Sequence, residues 1–468
     1  MQTASTLTRR DALKSVSSGF GYLAFAAMAH QQARAEASSN PLAPKEPHFA
    51  PRAKSVIFLS MRGAPSHVDM FDYKPKLNED NGKVSNLGRG RGNLFGSPWE
   101  FKQHGNSGLW MSELVPNLAT QADEICMLKG MHTDLPNHPQ AQVQMHTGSF
   151  QFVRPSLGAW TVYGLGTENS DLPGFIALNP QAGTAQHFGS AFLPAVYQGS
   201  KIGSDSARNR FARRRSGEDS GPAIPNIKNE KLDPKLQRIQ LDFVQSLNKT
   251  KLDRELHQPQ VEGVIESFEL AFRMQDAMPD MVDLSKESRS TLAMYGIDGG
   301  ETDSFGRQCL LARRFAEAGV RFIELSHGNW DHHRNLSNDL PARCAEIDKP
   351  IAGLLADLKQ RDLLKDTLVI FAGEFGRTPY AQGNDGRDHN HKGYTTWMAG
   401  GGVKGGFEYG ATDEYGHEAI DGKMHIHDWH ATILHLLGLN HEELTYRYAG
   451  RDFRLTDVHG DVSREILA

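Results

Sequence analysis

The sequence predicts an α/β protein, a three-layer α/β/α sandwich built on a mainly parallel sheet and carrying a helical insertion. Two observations predict it: continuous apolar runs of strand length recur along the chain, and amphipathic helical stretches alternate with them. Such alternation indicates βαβ units, whose crossovers cover both sheet faces and leave the strands apolar throughout. The 468 residues are material for two to four average domains. A large sheet with insertions uses that length as one, and residues 55–468 are read as one domain.

The first run is "SVIFLSM" (55–61), bounded by a Gly/Pro turn. A helix expected over "SELVPNLATQAD" (112–123) leads into the run "EICMLKGM" (124–131). "SFGRQCLLARRFAEAG" (304–319) has the period of an amphipathic helix, with Gly319 placed to end it. "VRFIELSHG" (320–328) then reads as a buried strand, "CAEIDKPIAGLLADLKQRDLL" (344–364) as a helix, and "DTLVIFAGEF" (366–375) as a further strand. Two stretches break the rhythm. "RNRFARRRSGEDSGPAIPNIKNEK" (208–231) is charged and aperiodic, and 234–278 is helical at spacings of three and four. Together they make the insertion at about 200–280, and the Arg213–Arg215 run is read as solvated.

The first 35 residues are not read as fold. Adjacent Arg9 and Arg10, a mildly apolar run from Gly19 to Ala29 and small residues at Ala33 and Ala35 resemble a twin-arginine export signal. The run is too short for a stable membrane span. The resemblance implies the twin-arginine export machinery as a partner and a periplasmic or extracellular location. Residues 36–54 form a Pro-rich linker. Cys126, Cys309 and Cys344 are far apart and odd in number, so no disulfide framework or zinc ribbon is implied. A formal charge of −5 gives no general electrostatic reason to bind nucleic acid.

In an open parallel sheet, ligands bind beyond the carboxyl ends of the strands. The run at 55–61 is followed by His67, Asp69 and Asp72, and that at 124–131 by His132, Asp134, His138 and His146. The run at 320–328 is followed by Asp331, His332 and His333, and the last run by Glu374, with His389 fifteen residues on. Four strand ends delivering carboxylates and imidazoles make a constellation. Mixed oxygen and imidazole donors suit one or two divalent transition-metal ions, zinc first and manganese or iron next, over magnesium or calcium.

The stretches "GAPSHVDMFDYKP", "GNWDHH", "VIFAGEFGRTP", "GRDHNHKGYTTWMAGGGVKGG" and "HDWHATILHLLGL" resemble the alkaline phosphatase/sulfatase superfamily. More closely, they resemble its exported branch known as domain of unknown function 1501. The resemblance implies an alkaline-phosphatase-like fold and a metal-dependent hydrolase of a sulfate or phosphate ester, its substrate an anionic small molecule or carbohydrate ester. It implies Asp69 as ligand to one ion, and Asp331, His333 and His389 as ligands to the other, with His332 the fallback for His333. Glu374 stands at the strand end where many members carry an Asp-His pair. Glu374 is itself expected as a metal ligand, but Glu-Phe in place of that pair loses an imidazole, so either the site holds one metal or another group such as His138 replaces it. Relatives attack with a Ser, Thr or formylglycine at a helix N-terminus after the second strand. Here "NHPQAQVQMHTG" follows, and Thr133, Thr147, His138 and Arg377 remain as weak catalytic candidates. Without a protein nucleophile, a metal-bound hydroxide would attack directly.

Blander readings stand beside these. Asp428 is read as a helix N-cap, His435 as a packed or surface histidine, and "GGGVKGG" (400–406) as a tight turn, since it lacks the Gly-Lys-Ser/Thr ending of a phosphate loop. Arg377 either pairs with Glu374 or meets an anion. The rival to hydrolysis is a catalytically silent, metal-stabilised binding or scaffold protein on the same fold.

Overall fold

All seven residues of the Ser55–Met61 strand are buried, because it has a parallel neighbour on each side and helices above and below. Its partners are Phe322–His327 and Thr367–Ala372. The structure, a computed structural model, describes residues 40–87, 92–180, 183–203, 232–254 and 259–468. The expected export signal and the Arg213–Arg215 run lie outside these residues, so only part of the linker and of the insertion is described.

The strands form a nine-stranded sheet in the order Phe407–Tyr409, Ile125–His132, Tyr394–Ala399, Thr367–Ala372, Ser55–Met61, Phe322–His327, Phe175–Leu178 and Ser200–Ile202, with Met424–His425 paired beside Ile125–His132. Only Tyr394–Ala399 runs against its neighbours. Alternate residues of each central strand point to opposite faces, and the core divides accordingly. Ile57, Leu59, Ile323, Leu325, Val369 and Phe371 pack with the Asp303–Glu317 and Leu336–Gln360 helices. Val56, Phe58, Phe322, Leu368 and Ile370 pack with Trp160 of the Leu157–Leu165 helix and Trp429 and Ile433 of Ile426–Leu436. Each large apolar side chain so buried contributes roughly 1.5–3 kcal/mol. The expected three-layer α/β/α architecture is the one observed.

Several boundaries differ from expectation. The 112–123 helix shrinks to Pro116–Ala119 and a 3-10 turn at Ala122–Glu124, because a proline disfavours helical backbone in the residue before it. The helix expected from residue 344 starts at Leu336 and runs through Pro341 and Pro350; burial of Leu336, Leu340, Ile347 and Ile351 against the sheet overrides the local cost. Ser200–Ile202 is an edge strand parallel to Phe175–Leu178 and so belongs to the sheet, not to the insertion. The described part of the insertion is two helices, Pro234–Arg254 and Pro259–Val282. Arg238 clamps Glu269 across them at 2.8 and 2.9 Å, and Leu270 and Met278 join the core. Cys126, Cys309 and Cys344 are free and buried. Among the described residues no helix is long and apolar enough to cross a membrane.

Much of the interior holds neutral imidazole. Burial lowers the pKa of His67 and His427, and pushes His430 down to about 3 although its Nε2–H donates to the Met145 carbonyl at 2.7 Å. In the unfolded chain these groups titrate near 6.5. Their contribution to stability is therefore present above that pH and lost as pH falls from about 6.5 toward 3. Tm is expected to be lower at pH 5 than at pH 7.5, and a scan showing an equal or higher value at pH 5 contradicts this.

Candidate metal centre

Parallel strands put their carboxyl ends along one edge of the sheet. Ile125–His132 shares that direction because two antiparallel steps, through Tyr394–Ala399, separate it from Thr367–Ala372. The loop after Phe322–His327 carries Asp331 and His333. A hairpin of Gly376–Ala381 and Arg387–Asn390 pairs His389 with Arg377. The His138–Thr147 helix brings His138 from the fourth strand end. Two glycines let these loops close. Gly63 has φ +106°, and a Cβ there would lie 2.8 Å from the Asp331 and Trp330 nitrogens. A Cβ on Gly386 would lie 2.0 Å from the His333 carbonyl oxygen.

Four side chains converge, His138, Asp331, His333 and His389, with one potential ligand atom from each all within 4.8 Å of one another. Asp331 Oδ1 lies 3.0 Å from His138 Nε2, 2.9 Å from His333 Nε2 and 3.3 Å from His389 Nε2. The Nε2 atoms of His333 and His389 are 2.8 Å apart.

The far side of each ring fixes what faces inward. Nδ1 of His389 is 2.7 Å from the Pro136 carbonyl, which only accepts, so Nδ1 carries the hydrogen. Nδ1 of His138 donates to Glu374 Oε1 at 2.5 Å, and Nδ1 of His333 to Gln382 Oε1. In the neutral rings the three Nε2 atoms therefore present lone pairs toward one another and toward a carboxylate oxygen. That arrangement repels itself unless positive charge enters it, and outer hydrogen bonds of this kind are how metal-ligating imidazoles are oriented. Burial lowers the His138 pKa, but its bonds to Asp331 and Glu374 prevail and push it up to about 8, so at neutral pH its Nε2 carries a proton that faces Asp331 at 3.0 Å and that an incoming metal ion would displace. The donor set of three nitrogens and one carboxylate fits zinc and related transition metals.

Glu374 is not one of the four converging donors. It is buried behind His138, where it also accepts from Gln142 Nε2 at 2.9 Å and from the Gly63 N–H at 3.0 Å. Burial raises its pKa, yet the His138 hydrogen bond and charge, with Gln142, bring it below the usual value, so it is ionised. Glu374→Gln is expected to leave the four donors in place while weakening metal affinity about 10–100-fold, the typical effect of losing an outer-shell partner; a metal-competition titration giving wild-type affinity contradicts this.

Asp69 is elsewhere. Its carboxylate is fully buried in a two-pronged pair with Arg387, at 2.7 and 2.8 Å, and accepts from Ser66 Oγ at 2.5 Å. Arg377 pairs with Asp331 at 2.7 Å instead of with Glu374, and spends its other donors on the carbonyls of Gly63, Ala64, Trp330 and Arg387. It buttresses Asp331 and offers no face to an anion. Between the two adjacent histidines, His333 reaches the cluster; His332 is buried beside Trp330, where burial and the Arg377 charge lower it to about 4. The Thr133 hydroxyl donates to Gln144 at 3.0 Å and that of Thr147 to the Val143 carbonyl at 2.7 Å. Asp428 does serve the start of its helix, but from the third position: His425 is the cap residue, and its N–H donates to Asp428 at 2.8 Å. His435 packs on Phe49. The role of Gln142, which bonds to Glu374 from one helical turn past His138, carries no signal in the sequence.

Residues 53–467 match the model of a family described as "Protein of unknown function (DUF1501)". No curated protein matches the chain. Among solved structures, the chain is similar to PsFucS1 sulfatase from Pseudoalteromonas sp., with 14% identity, 84% of this chain and 69% of that one covered, and a TM-score of 0.35. It is similar to the lipoteichoic acid synthase LtaP from Listeria monocytogenes, with 10% identity, 88% and 78% covered, and a TM-score of 0.37. It is also similar to alkaline phosphatase from the Antarctic bacterium TAB5, with 12% identity, 76% and 93% covered, and a TM-score of 0.30.

Proposed function

The chain belongs to the DUF1501 family, and from that premise we propose that it is an exported, metal-dependent hydrolase of a sulfate or phosphate ester. The observation that carries this reading is the tautomer lock. Three Nδ1 hydrogens are committed to outer acceptors, so the three Nε2 atoms face one another and the Asp331 carboxylate within 4.8 Å, and all three offer lone pairs once His138 gives up its Nε2 proton. A transition-metal dication held there supplies Lewis acidity and lowers the pKa of a coordinated water toward neutrality.

The chain's own residues do the rest. Asp331, braced by Arg377, gives the site its one anionic donor. His138 is held by ionised Glu374, which fixes the ring's direction. The Thr133 hydroxyl is bonded to Gln144 and that of Thr147 to the carbonyl one turn back in its own helix, which favours attack by water over attack by a protein nucleophile. Export is supported by the Arg9-Arg10 signal-like stretch.

The test uses full-length protein purified without chelator or His-tag, assayed on aryl phosphates and aryl sulfates before chelation, after it, and after zinc or manganese is restored. Turnover that disappears and returns with metal is the expected result. Bound metal with no turnover on any ester would favour the metal-stabilised binding or scaffold protein instead. No metal at all would sink both.

A further inference from the structure

A second group of donors, one of them on the same helix, lies outside the cluster just described. His146 follows His138 by eight residues, a little over two helical turns, so the two side chains leave the helix about 80° apart around its axis. Nδ1 of His146 lies 2.7 Å from the Gln142 carbonyl and must carry the hydrogen. Its Nε2 faces Glu324 Oε1 at 3.1 Å, and a neutral ring would present a lone pair to that oxygen. The other oxygen, Glu324 Oε2, is buried without a hydrogen-bond partner. Glu324 is only 6% exposed. His187, from the short turn Ala185–His187, stacks on His146 with ring centroids 4.1 Å apart and planes 10° from parallel. As a neutral imidazole, His187 has one ring nitrogen with a free lone pair. Arg62 acts on Glu324 at a distance but forms no ion pair with it. A buried carboxylate with one oxygen against an imidazole and the other unpartnered is short of positive charge.

We propose that His146, His187 and Glu324 form a second, buried metal site for a zinc-like dication. One potential ligand atom from each lies within 4.8 Å of the others, and all three residues are buried. Two imidazoles and one carboxylate are a donor set for zinc, iron or manganese, and three protein donors leave one position of a tetrahedral ion for a water. Gln142 links the two sites. Its carbonyl accepts from His146, and its side chain donates to Glu374, which orients His138. An ion in the second site would hold the helical turn that positions the first. The assignment stands apart from the hydrolase reading, because it rests on different donors.

The test is metal content per chain, by mass spectrometry of the full-length protein and four variants: His187→Ala, Glu324→Gln, the pair His333→Ala with His389→Ala, and that pair combined with His187→Ala. Close to two ions are expected in the wild type, one in each of the first three and none in the last. If His187→Ala and Glu324→Gln keep the wild-type content, the inference is overturned and His146–Glu324 is an ordinary buried ion pair. If instead the His333/His389 variant keeps every ion while His187→Ala loses one, the second site stands and the first fails. Should His187→Ala not fold, cobalt(II) is titrated into the His333/His389 variant. One equivalent bound, with visible bands of a nitrogen- and oxygen-ligated ion, supports the site; no binding removes it.

Discussion

An Asp331→Ala, His389→Ala double variant is expected to lose one equivalent of metal per chain and all metal-dependent ester hydrolysis. Asp331 is the only anion among the four donors, and its Oδ1 is the atom around which three Nε2 atoms gather. Removing it leaves His138, His333 and the Arg377 guanidinium facing a gap that repels a cation. Removing His389 as well takes a second of the four ligands. Loss of a single outer-shell partner costs about 10–100-fold in affinity, so loss of two direct donors exceeds that range and empties the site at micromolar metal. Metal analysis of folded variant is the measurement. If the double variant keeps its full complement and its activity, the constellation is not a metal centre.

The largest stability effect is expected at Arg387. Its guanidinium and the Asp69 carboxylate are both completely shielded from solvent and meet through two hydrogen bonds. Arg387 also stacks over Phe95, 4.6 Å from the ring centroid. Arg387→Met leaves the carboxylate buried with only Ser66 beside it. Breaking such a pair from one side costs about 3–5 kcal/mol, read as a shift of the urea unfolding midpoint. Asp69→Asn should destabilise in the same direction by less, since the amide keeps one acceptor. Neither variant should change metal per folded chain. Folded Asp69→Asn protein lacking an ion would restore Asp69 to the ligand role that the superfamily resemblance implies.

Some of this was legible residue by residue. "SVIFLSM" coincides with its strand because seven apolar or small residues bounded by a turn have few other uses. Asp331, His333 and His389 could be named because each follows closely on such a run or on the turn after it. Other parts were not legible, for reasons that are physical. Asp69 and Asp331 look alike in one dimension, as acids just past a strand. A side chain from Arg387, 318 positions away, captures the first, and three imidazoles gather on the second. His332 and His333 differ only in which way a loop turns them. His187 and Glu324 lie in a short turn and in mid-strand, where no local pattern marks a ligand.

The sequence by itself determined the layered α/β architecture, the edge of the sheet where polar chemistry collects, and the kinds of donor found there. Those follow from hydrophobic period and from the rule that parallel strands end together. Only the tertiary structure decided which donors meet. It placed His138 in the cluster and Glu374 behind it, and turned Arg377 inward to brace Asp331. Hydrogen-bond partners and ring tautomers depend on ångström-scale approaches between loops hundreds of residues apart, and no local pattern along the chain encodes that distance.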